Sequence, residues 1–270
     1  MMATAKELLD AGKLREAIDQ LISEVKANPT EERLRTFLFE LLCFAGQWDR
    51  AEKQLEVIAH QSSQAQLGVQ VYINNLKAER DRQRLFSDGL QPHFLTEPPA
   101  YVDHLLGAIN RMREGNGAAA REQLDKAEEE RPALCGRFNG RPFEDFRDCH
   151  DLFGPILELI VKEKYTWLPF EQIRQIEIAP PKQLRDLLWT PARIEASDGT
   201  LGEVYLPALY PGSSEHPNDQ VKLGRRTEWK KSEKTGMDSA YGLRLFLIGE
   251  EDKTILEVRT LQFGAPDLAS

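Results

Sequence analysis

The chain has 270 residues, 41% of them hydrophobic and 29% charged, and its formal net charge at pH 7 is −9, a balance typical of soluble globular proteins. Both halves are acidic, which argues against a nucleic-acid-binding protein, and no run approaches the roughly 20 apolar residues of a membrane-spanning helix. Because the first ten residues, MMATAKELLD, already carry charged side chains, we expect no secretory signal and predict a cytoplasmic protein that neither binds nucleic acid nor inserts into a membrane.

A short pattern recurs three times in the first half of the chain. It stands as AGKLREA at residues 11–17, AGQWDRA at 45–51 and EGNGAAA at 114–120, so the first two copies lie 34 residues apart and the third follows after about two more periods. A period of this length with this order of residues resembles the tetratricopeptide repeat, a stack of helix-turn-helix units. We therefore predict an all-α, tetratricopeptide-like domain over residues 1–133; the alternative is an ordinary helical bundle.

The residue types of the pattern fit a helical hairpin. Glycine at the turn permits a backbone conformation that residues with a Cβ rarely adopt, and the alanine five residues later lets the paired helices approach closely. Leu21, Leu55 and Leu124 follow the alanines by four residues and are expected to pack into the partner helix. Pro29 and Pro132 are expected to end the second helix of the first and third copies, because proline cannot continue a helix.

Between the second and third copies the pattern is absent. Gln64–Phe86 is predicted to form one long helix, which the proline-bearing stretch 91–99 ends before Tyr101 begins another. So few copies cannot form an extended superhelix. We therefore expect a compact platform with an apolar face that a partner covers.

After Pro132 the helical periodicity gives way to turn signals. Asn139-Gly140 is typical of a two-residue hairpin because both residues tolerate positive φ. Ile156–Val161 is a predicted strand, and Asp198-Gly199 separates two segments of alternating apolar and polar residues. These signals predict antiparallel strands.

The rest of the second half adds strands and one helix. Leu243–Ile248 and Ile255–Leu261 are predicted strands joined by a charged turn at Glu250–Lys253, and Lys182–Trp189 is the predicted helix. Residues 134–270 are therefore predicted as a mainly antiparallel, β-rich α+β domain, which makes the fold class of the whole chain α+β.

Three segments of the second half carry a family resemblance. They are NGRPFEDFRDCHDLFGPILELI from residue 139, YTWLPFEQIRQIEI from residue 165 and LRDLLWTPARIEASDGTLGEVYLPALYP from residue 184. In these segments, and in its helices that precede a β-rich half, the chain resembles the ImpE family. That family comprises accessory proteins of bacterial type VI secretion systems, also described as SciE- or TagJ-type.

The resemblance implies a non-enzymatic protein whose partner is the N-terminal helical segment of the small contractile-sheath subunit. No cofactor or metal is expected. The chain has neither GxxxxGK[ST] nor GxGxxG, so it lacks a nucleotide-binding loop. Its cysteines, Cys43, Cys135 and Cys149, are odd in number and include no CxxC pair, which argues against a disulfide framework and a zinc site.

Aromatic residues cluster where two of these segments lie. Tyr165, Trp167, Phe170 and Trp189 fall within 25 residues flanked by prolines. Tryptophan and tyrosine are enriched at binding hot spots. These four residues, with Leu184 and Leu188, are therefore the predicted partner-binding residues, and the alternative is that Trp167 and Trp189 belong to the core of the second domain.

The strongest enzymatic motif is Asp148-Cys149-His150-Asp151. A cysteine nucleophile needs a base within hydrogen-bond reach, and adjacent residues on a strand point to opposite faces. We therefore interpret the motif as a polar turn between strands and predict no catalytic residue.

The densest basic cluster consists of six lysines and arginines interrupted by two glutamates. Its cations are Lys222, Arg225, Arg226, Lys230, Lys231 and Lys234. A charge cluster of this kind usually lies on a solvated loop or hairpin, and a phosphate-binding role is the less favoured alternative.

The leading hypothesis is a cytoplasmic accessory protein that captures an amphipathic helix of a sheath subunit in an apolar groove, supplied by the second half rather than by the repeats. A second hypothesis is a hydrolase or transferase built on the β-rich half, with the repeats as a docking arm. A third is a general repeat adaptor unrelated to secretion.

Overall fold

The fold is taken from a computed structural model that describes residues 3–61, 65–231 and 238–264. Within these residues the first half forms seven α-helices, which pair as the hairpins α1/α2, α3/α4 and α6/α7 with α5 between them. They are α1 (Ala5–Asp10), α2 (Leu14–Ala27), α3 (Glu32–Phe44), α4 (Trp48–Gln61), α5 (Gln66–Ser87), α6 (Tyr101–Arg113) and α7 (Gly117–Glu130).

The three repeat turns have the conformation that the sequence pattern predicts. Gly12, Gly46 and Gly115 have φ values of +76°, +66° and +73°, in the left-handed region that favours glycine. The repeat alanines are completely buried and the repeat leucines are at most 3% exposed. These residues are Ala17, Ala51, Ala120, Leu21, Leu55 and Leu124. Each hairpin is therefore closed by the same small-residue contact.

The second half consists of thirteen short strands and one α-helix among the described residues. They are β1 (Gly136–Phe138), β2 (Arg141–Phe143), β3 (Phe146–Asp148), β4 (Ile156–Val161), β5 (Lys164–Pro169), β6 (Ile173–Ile178), β7 (Trp189–Ala196), β8 (Leu201–Pro207), α8 (Asp219–Lys222), β9 (Glu228–Lys231), β10 (Asp238–Tyr241), β11 (Leu245–Ile248), β12 (Glu251–Thr254) and β13 (Thr260–Phe263).

The strands form three antiparallel sheets. The largest has the order β2-β1-β13-β6-β7-β8-β4-β5, a second has the order β12-β11-β3, and β9 pairs with β10 alone. Asn139 and Gly140 make the predicted two-residue turn between β1 and β2, with φ values of +48° and +83°. With helices over residues 5–130 and antiparallel strands after them, the α+β prediction is confirmed.

The predicted helix at Lys182–Trp189 is wrong. Only Leu184–Leu187 forms a single 3₁₀ turn, and Trp189 begins β7. The Asp186 carboxylate accepts hydrogen bonds from the backbone N–H groups of Lys182 and Gln183, which closes the turn. A segment of eight residues is too short to be a stable helix by propensity alone, so the pairing of β7 with β8 determines its structure.

The last predicted hairpin is shifted in the structure. The expected charged turn is strand β12, and the turn is the two-residue Gly249-Glu250 between Ile248 and Glu251. Glycine at the first position has a φ of +60°, which a tight hairpin permits. Ile255–Glu257 is a 3₁₀ turn rather than the start of a strand, and β13 begins only at Thr260.

The two halves share one hydrophobic core. The cluster that fills the helical repeats continues without a break into the second half, where it includes Phe153, Trp167, Trp189 and Tyr210. A second cluster lies within the sheets alone. The apolar face that the helical platform was expected to offer a partner is thus covered largely by the same chain, and the boundary between residues 133 and 134 stays a prediction.

Candidate functional site

The predicted aromatic residues lie inside the protein. Tyr165, Trp167, Phe170 and Trp189 are at most 3% exposed, Leu188 is buried and Leu184 is half-buried. Phe170 belongs to the core of the sheets, whereas Trp189 packs against Phe39 of α3 and Tyr72 of α5, with ring centroids 6.3 and 6.2 Å apart. The segment that carries the family resemblance therefore forms core and the junction between the halves. Of the six residues, only Leu188 borders the cleft described next.

A cleft of about 1050 Å³ lies between the helical half and the second half. Its helical wall comes from α3 to α6, and the opposite elements are the turn before β4, the loop after β8 and the β9–β10 hairpin. Its apolar lining includes Cys43, Phe44, Trp48, Phe86, Met112, Leu152, Phe153, Leu188, Leu209, Tyr210, Trp229 and Ala240. This combination of volume and apolar lining is typical of a binding site.

A buried network of charged side chains lies beneath the floor of the cleft. Arg82 of α5 donates from Nε and Nη2 to the two carboxylate oxygens of Glu158 on β4, at 2.8 and 2.7 Å. Arg244 also donates to Glu158 and to Asp148. The Tyr165 hydroxyl donates to Glu158 as well, at 2.5 Å. All of these groups are at most 5% exposed, so the network joins the halves where no water competes.

Glu158 of this network remains ionised because two arginines surround it, whereas at Asp148 burial outweighs Arg244 and raises the pKa of the carboxyl group. Burial by itself raises the pKa of Glu158, but the guanidinium groups of Arg82 and Arg244 outweigh it and lower that pKa to about 2. Glu79 of α5 accepts from the Trp189 indole at 3.0 Å and from Arg82 at 3.4 Å. Among the described residues, each charged group of this network therefore has a hydrogen-bonding partner within the protein.

The Asp148–Asp151 segment is a turn between β3 and β4, as predicted, but its polar groups are not simply solvated. Asp148 is completely buried and accepts from the Tyr210 hydroxyl at 2.8 Å. His150 borders the cleft, and its Nδ1 accepts from the backbone N–H of Leu152 at 3.2 Å. Cys149 does not border the cleft; its Sγ lies 3.5 Å from a carboxylate oxygen of Asp252.

This geometry is unsuited to nucleophilic catalysis. Burial raises the pKa of the Cys149 thiol, and the carboxylates of Asp252 and Asp148 raise it further, so a thiolate is disfavoured. The ring nitrogen Nδ1 of His150 is occupied by a backbone donor rather than oriented by a carboxylate. The cysteine and the histidine therefore do not form a nucleophile–base pair.

His150 makes the stability of the protein depend on pH. Burial, reinforced by Arg244, lowers its pKa from 6.5 to about 4. Below pH 6.5 the unfolded chain therefore binds a proton that the folded protein does not, and the free energy of unfolding falls as the pH falls toward 4. We expect the free energy of unfolding, measured with urea, to fall between pH 7 and pH 4.5, and to fall by about 1–2 kcal/mol less in His150→Asn than in the wild type. This difference is smaller than the pKa shift alone would give, because the site is only half-buried.

The matched control for this pH effect is His60→Asn, on the exposed end of α4. It should leave the difference between the two pH values unchanged. Asparagine at 150 retains an acceptor for the Leu152 N–H, so stability at pH 7 should change little. Equal pH dependence in His150→Asn and the wild type would contradict the assignment.

The β9–β10 hairpin forms one rim of the cleft and is held at its base. Tyr210 donates its backbone N–H to the Gly242 carbonyl at 2.9 Å, and Gly242 donates to the Ser213 hydroxyl at 2.7 Å. A Cβ on Gly242, whose φ is +100°, would stand 2.0 Å from the Arg226 carbonyl oxygen, so only glycine allows this approach. The hairpin thereby places Trp229, 45% exposed, at the cleft.

Sequence reasoning missed most of the cleft residues. Four of them come from four different helices, and nothing in their spacing predicts that they meet: Phe44, Trp48, Phe86 and Met112. Trp229 is the exception, because a lone tryptophan inside a basic cluster is a poor core residue and so indicates a surface role. Among the described residues, its segment forms the solvated hairpin expected of that cluster; Lys234 lies outside them.

No group of three or more histidine, cysteine, aspartate or glutamate side chains in the described ranges is arranged to hold a metal ion. In the same ranges, no helix is both long enough and apolar enough to cross a membrane.

Comparisons with known proteins cover the whole fold. The family model described as "ImpE protein" matches residues 140–262. The chain is 36% identical over 265 residues to the "Type VI secretion system accessory component TagJ" of Pseudomonas aeruginosa, which covers 97% of this chain and 92% of that protein. A crystal structure of a Vibrio parahaemolyticus protein superposes with a TM-score of 0.90 at 27% identity and covers 97% of both chains. The similarity therefore includes the helical half as well as the β-rich half.

Proposed function

The chain belongs to the ImpE family, and from this membership we propose that it is a non-enzymatic, cytoplasmic accessory protein of a type VI secretion system. The observation that carries the proposal is the 36% identity, over 97% of the chain, to a protein named as such a component. The aligned region includes both halves of the chain, so the similarity supports a shared role of the whole protein and not of one half alone.

The finer proposal is that the partner is the N-terminal helical segment of the small sheath subunit and that it binds in the cleft. An amphipathic helix buries a stripe of side chains in an apolar trough with a polar rim. The cleft has such a lining and a rim that includes Glu215 and Lys230. A helix about 10 Å across occupies roughly 420 Å³ per turn, so 1050 Å³ holds about two turns.

The alternative enzymatic function gains no support from the geometry. Cys149 lies outside the cleft and has a thiol pKa raised by burial, and Nδ1 of His150 accepts from a backbone N–H, so among the described residues these two do not form an activated nucleophile. The buried carboxylates of Asp148 and Glu158 are saturated by arginine and tyrosine donors. Binding is the function that these residues favour.

The test is isothermal titration calorimetry of the full-length protein with a synthetic peptide of the sheath subunit's N-terminal segment. We expect saturable binding that Phe86→Ala weakens about tenfold or more, since Phe86 is half-buried at the cleft, where it packs edge-on against Phe153 with ring centroids 6.3 Å apart. Full-length protein is required because separate halves would expose their shared core.

Leu67→Ala is the matched control, because Leu67 is 85% exposed and does not border the cleft. It should leave the affinity unchanged. Binding that Phe86→Ala does not weaken would exclude the cleft, and a wild-type protein that fails to bind the peptide would exclude the partner.

A further inference from the structure

The β9–β10 hairpin carries an exposed tryptophan beside the cleft. Among the described residues, the large hydrophobic side chains that are exposed are Leu67, Leu95 and Trp229, and only Trp229 borders the cleft. Its partner across the hairpin is Ala240, whose methyl group is too small to cover an indole ring. Burying the exposed 45% of this side chain on binding would remove on the order of 100 Å² of apolar surface from water, enough to make Trp229 an anchor.

The stretch that leads into the hairpin and forms its first strand is positively charged in an acidic protein, whereas the hairpin as a whole, residues 228–241, is neutral, with three cations and three carboxylates. Residues 219–231 contain the cations Lys222, Arg225, Arg226, Lys230 and Lys231 against the two carboxylates Asp219 and Glu228, although the chain as a whole has a net charge of −9. Seven charged residues of this composition give the segment a net charge of about +3. The local positive charge of residues 219–231 is therefore opposite in sign to the net charge of the chain.

Several of these cations are available for a partner. Lys230 is exposed and makes no ion pair within the described part of the chain. Arg225 is exposed and donates to the carbonyl oxygen of Asp10 at 3.0 Å, a neutral acceptor that does not compensate its charge. Arg226 keeps 65% of its side chain exposed while it pairs with Glu228 at 3.3 Å. Glu215 and Glu228 are the opposing charges on the rim; Glu215 is exposed, and Glu228 is half-buried and pairs with Arg226.

We propose that the first strand of the hairpin, β9, together with the loop before it binds an acidic stretch of the partner that adjoins the helix in the cleft, with Trp229 packing on its apolar side chains and Lys230 pairing with its carboxylates. The proposal rests on the proposed function, because the helix in the cleft brings the acidic stretch to the hairpin. A long polyanion such as nucleic acid is less suited, since the positive region is short and the acidic remainder of the chain repels phosphate beyond it.

The test is calorimetry of the full chain with a sheath-subunit peptide long enough to include the residues that flank the helix, at about 50 mM and about 300 mM salt. Lys230→Glu should weaken binding about tenfold at the lower salt and about twofold at the higher, because exposed charges are screened. Trp229→Ala should weaken it about tenfold at both. Lys53→Glu makes the same charge change on an exposed site of α4 outside the cleft and should alter the affinity less than about twofold.

Tryptophan fluorescence gives an independent measurement. Trp229 is the most accessible of the four tryptophans to acrylamide, since Trp167 and Trp189 are at most 1% exposed and Trp48 is half-buried. Binding of the peptide should shift the emission of the wild type to the blue and reduce its quenching by acrylamide. Trp229→Ala should lose most of this change.

The outcomes separate the two proposals. Wild-type binding that neither Trp229→Ala nor Lys230→Glu weakens would overturn the hairpin proposal and leave the proposed function intact. Tighter binding by Lys230→Glu would mean that the partner segment is positively charged, and this too would overturn the hairpin proposal. A single-stranded oligonucleotide of 20 bases that binds the wild type but not Lys230→Glu would assign the hairpin to phosphate instead. No peptide binding by the wild type would remove the proposed function and this inference together.

Discussion

Replacing Arg82 with methionine is expected to lower the free energy of unfolding by about 3–5 kcal/mol, because it leaves a completely buried Glu158 with one arginine instead of two. Arg82 also donates to the Leu209 carbonyl at 2.9 Å, so a backbone acceptor loses its partner as well. Methionine retains most of the buried aliphatic volume, and the loss therefore reports the charge rather than a cavity. Urea denaturation at pH 7 measures it.

The matched control is Arg84→Met on the same helix. Arg84 keeps 54% of its side chain exposed and pairs with Asp88 at 2.9 Å, so its loss should cost less than about 1 kcal/mol. The double variant Arg82→Met/Glu158→Gln should recover only part of the loss, since Glu158 is then neutral while Glu79 still lacks its arginine. If Arg82→Met proves no more costly than Arg84→Met, the buried pair does not hold the halves together.

The helical half could be predicted because its pattern is local. A glycine, an alanine five residues later and a leucine four residues beyond that act within one hairpin, and all three copies form the turn and the contact that the spacing indicates. The hairpin at Asn139-Gly140 is local in the same sense, since two residues alone set its geometry.

The structures that sequence reasoning missed depend on distant residues. Lys182–Trp189 has helix-forming residues, yet β7 pairs Trp189 with Pro207, and this long-range pairing decides the structure. Arg82, Glu158 and Arg244 are separated by 76 and 86 residues along the chain, so no spacing rule could join them. The cleft is likewise the product of the packing of the halves.

The second large effect is expected at Trp189, which the sequence placed among the partner-binding residues and the structure places at the junction of the halves. Trp189→Ala should lower the free energy of unfolding by about 3–5 kcal/mol, because the ring is 1% exposed between Phe39 and Tyr72 and a cavity would replace it. Trp189→Phe should cost about 1–3 kcal/mol, since it keeps a ring but removes the donor to Glu79. Denaturant unfolding of both variants measures these values.

Trp229→Ala is the control that distinguishes a tryptophan of the core from one of the binding surface. With 45% of its side chain exposed, Trp229 should contribute less than about 1 kcal/mol to stability while it contributes strongly to peptide affinity. We therefore expect Trp189→Ala to lower the stability of the protein and Trp229→Ala to lower its affinity for the peptide. A Trp189→Ala variant that stays as stable as the wild type and yet binds the sheath peptide weakly would restore the sequence-based interpretation, because Trp189 would then have to leave its buried position to contact the partner.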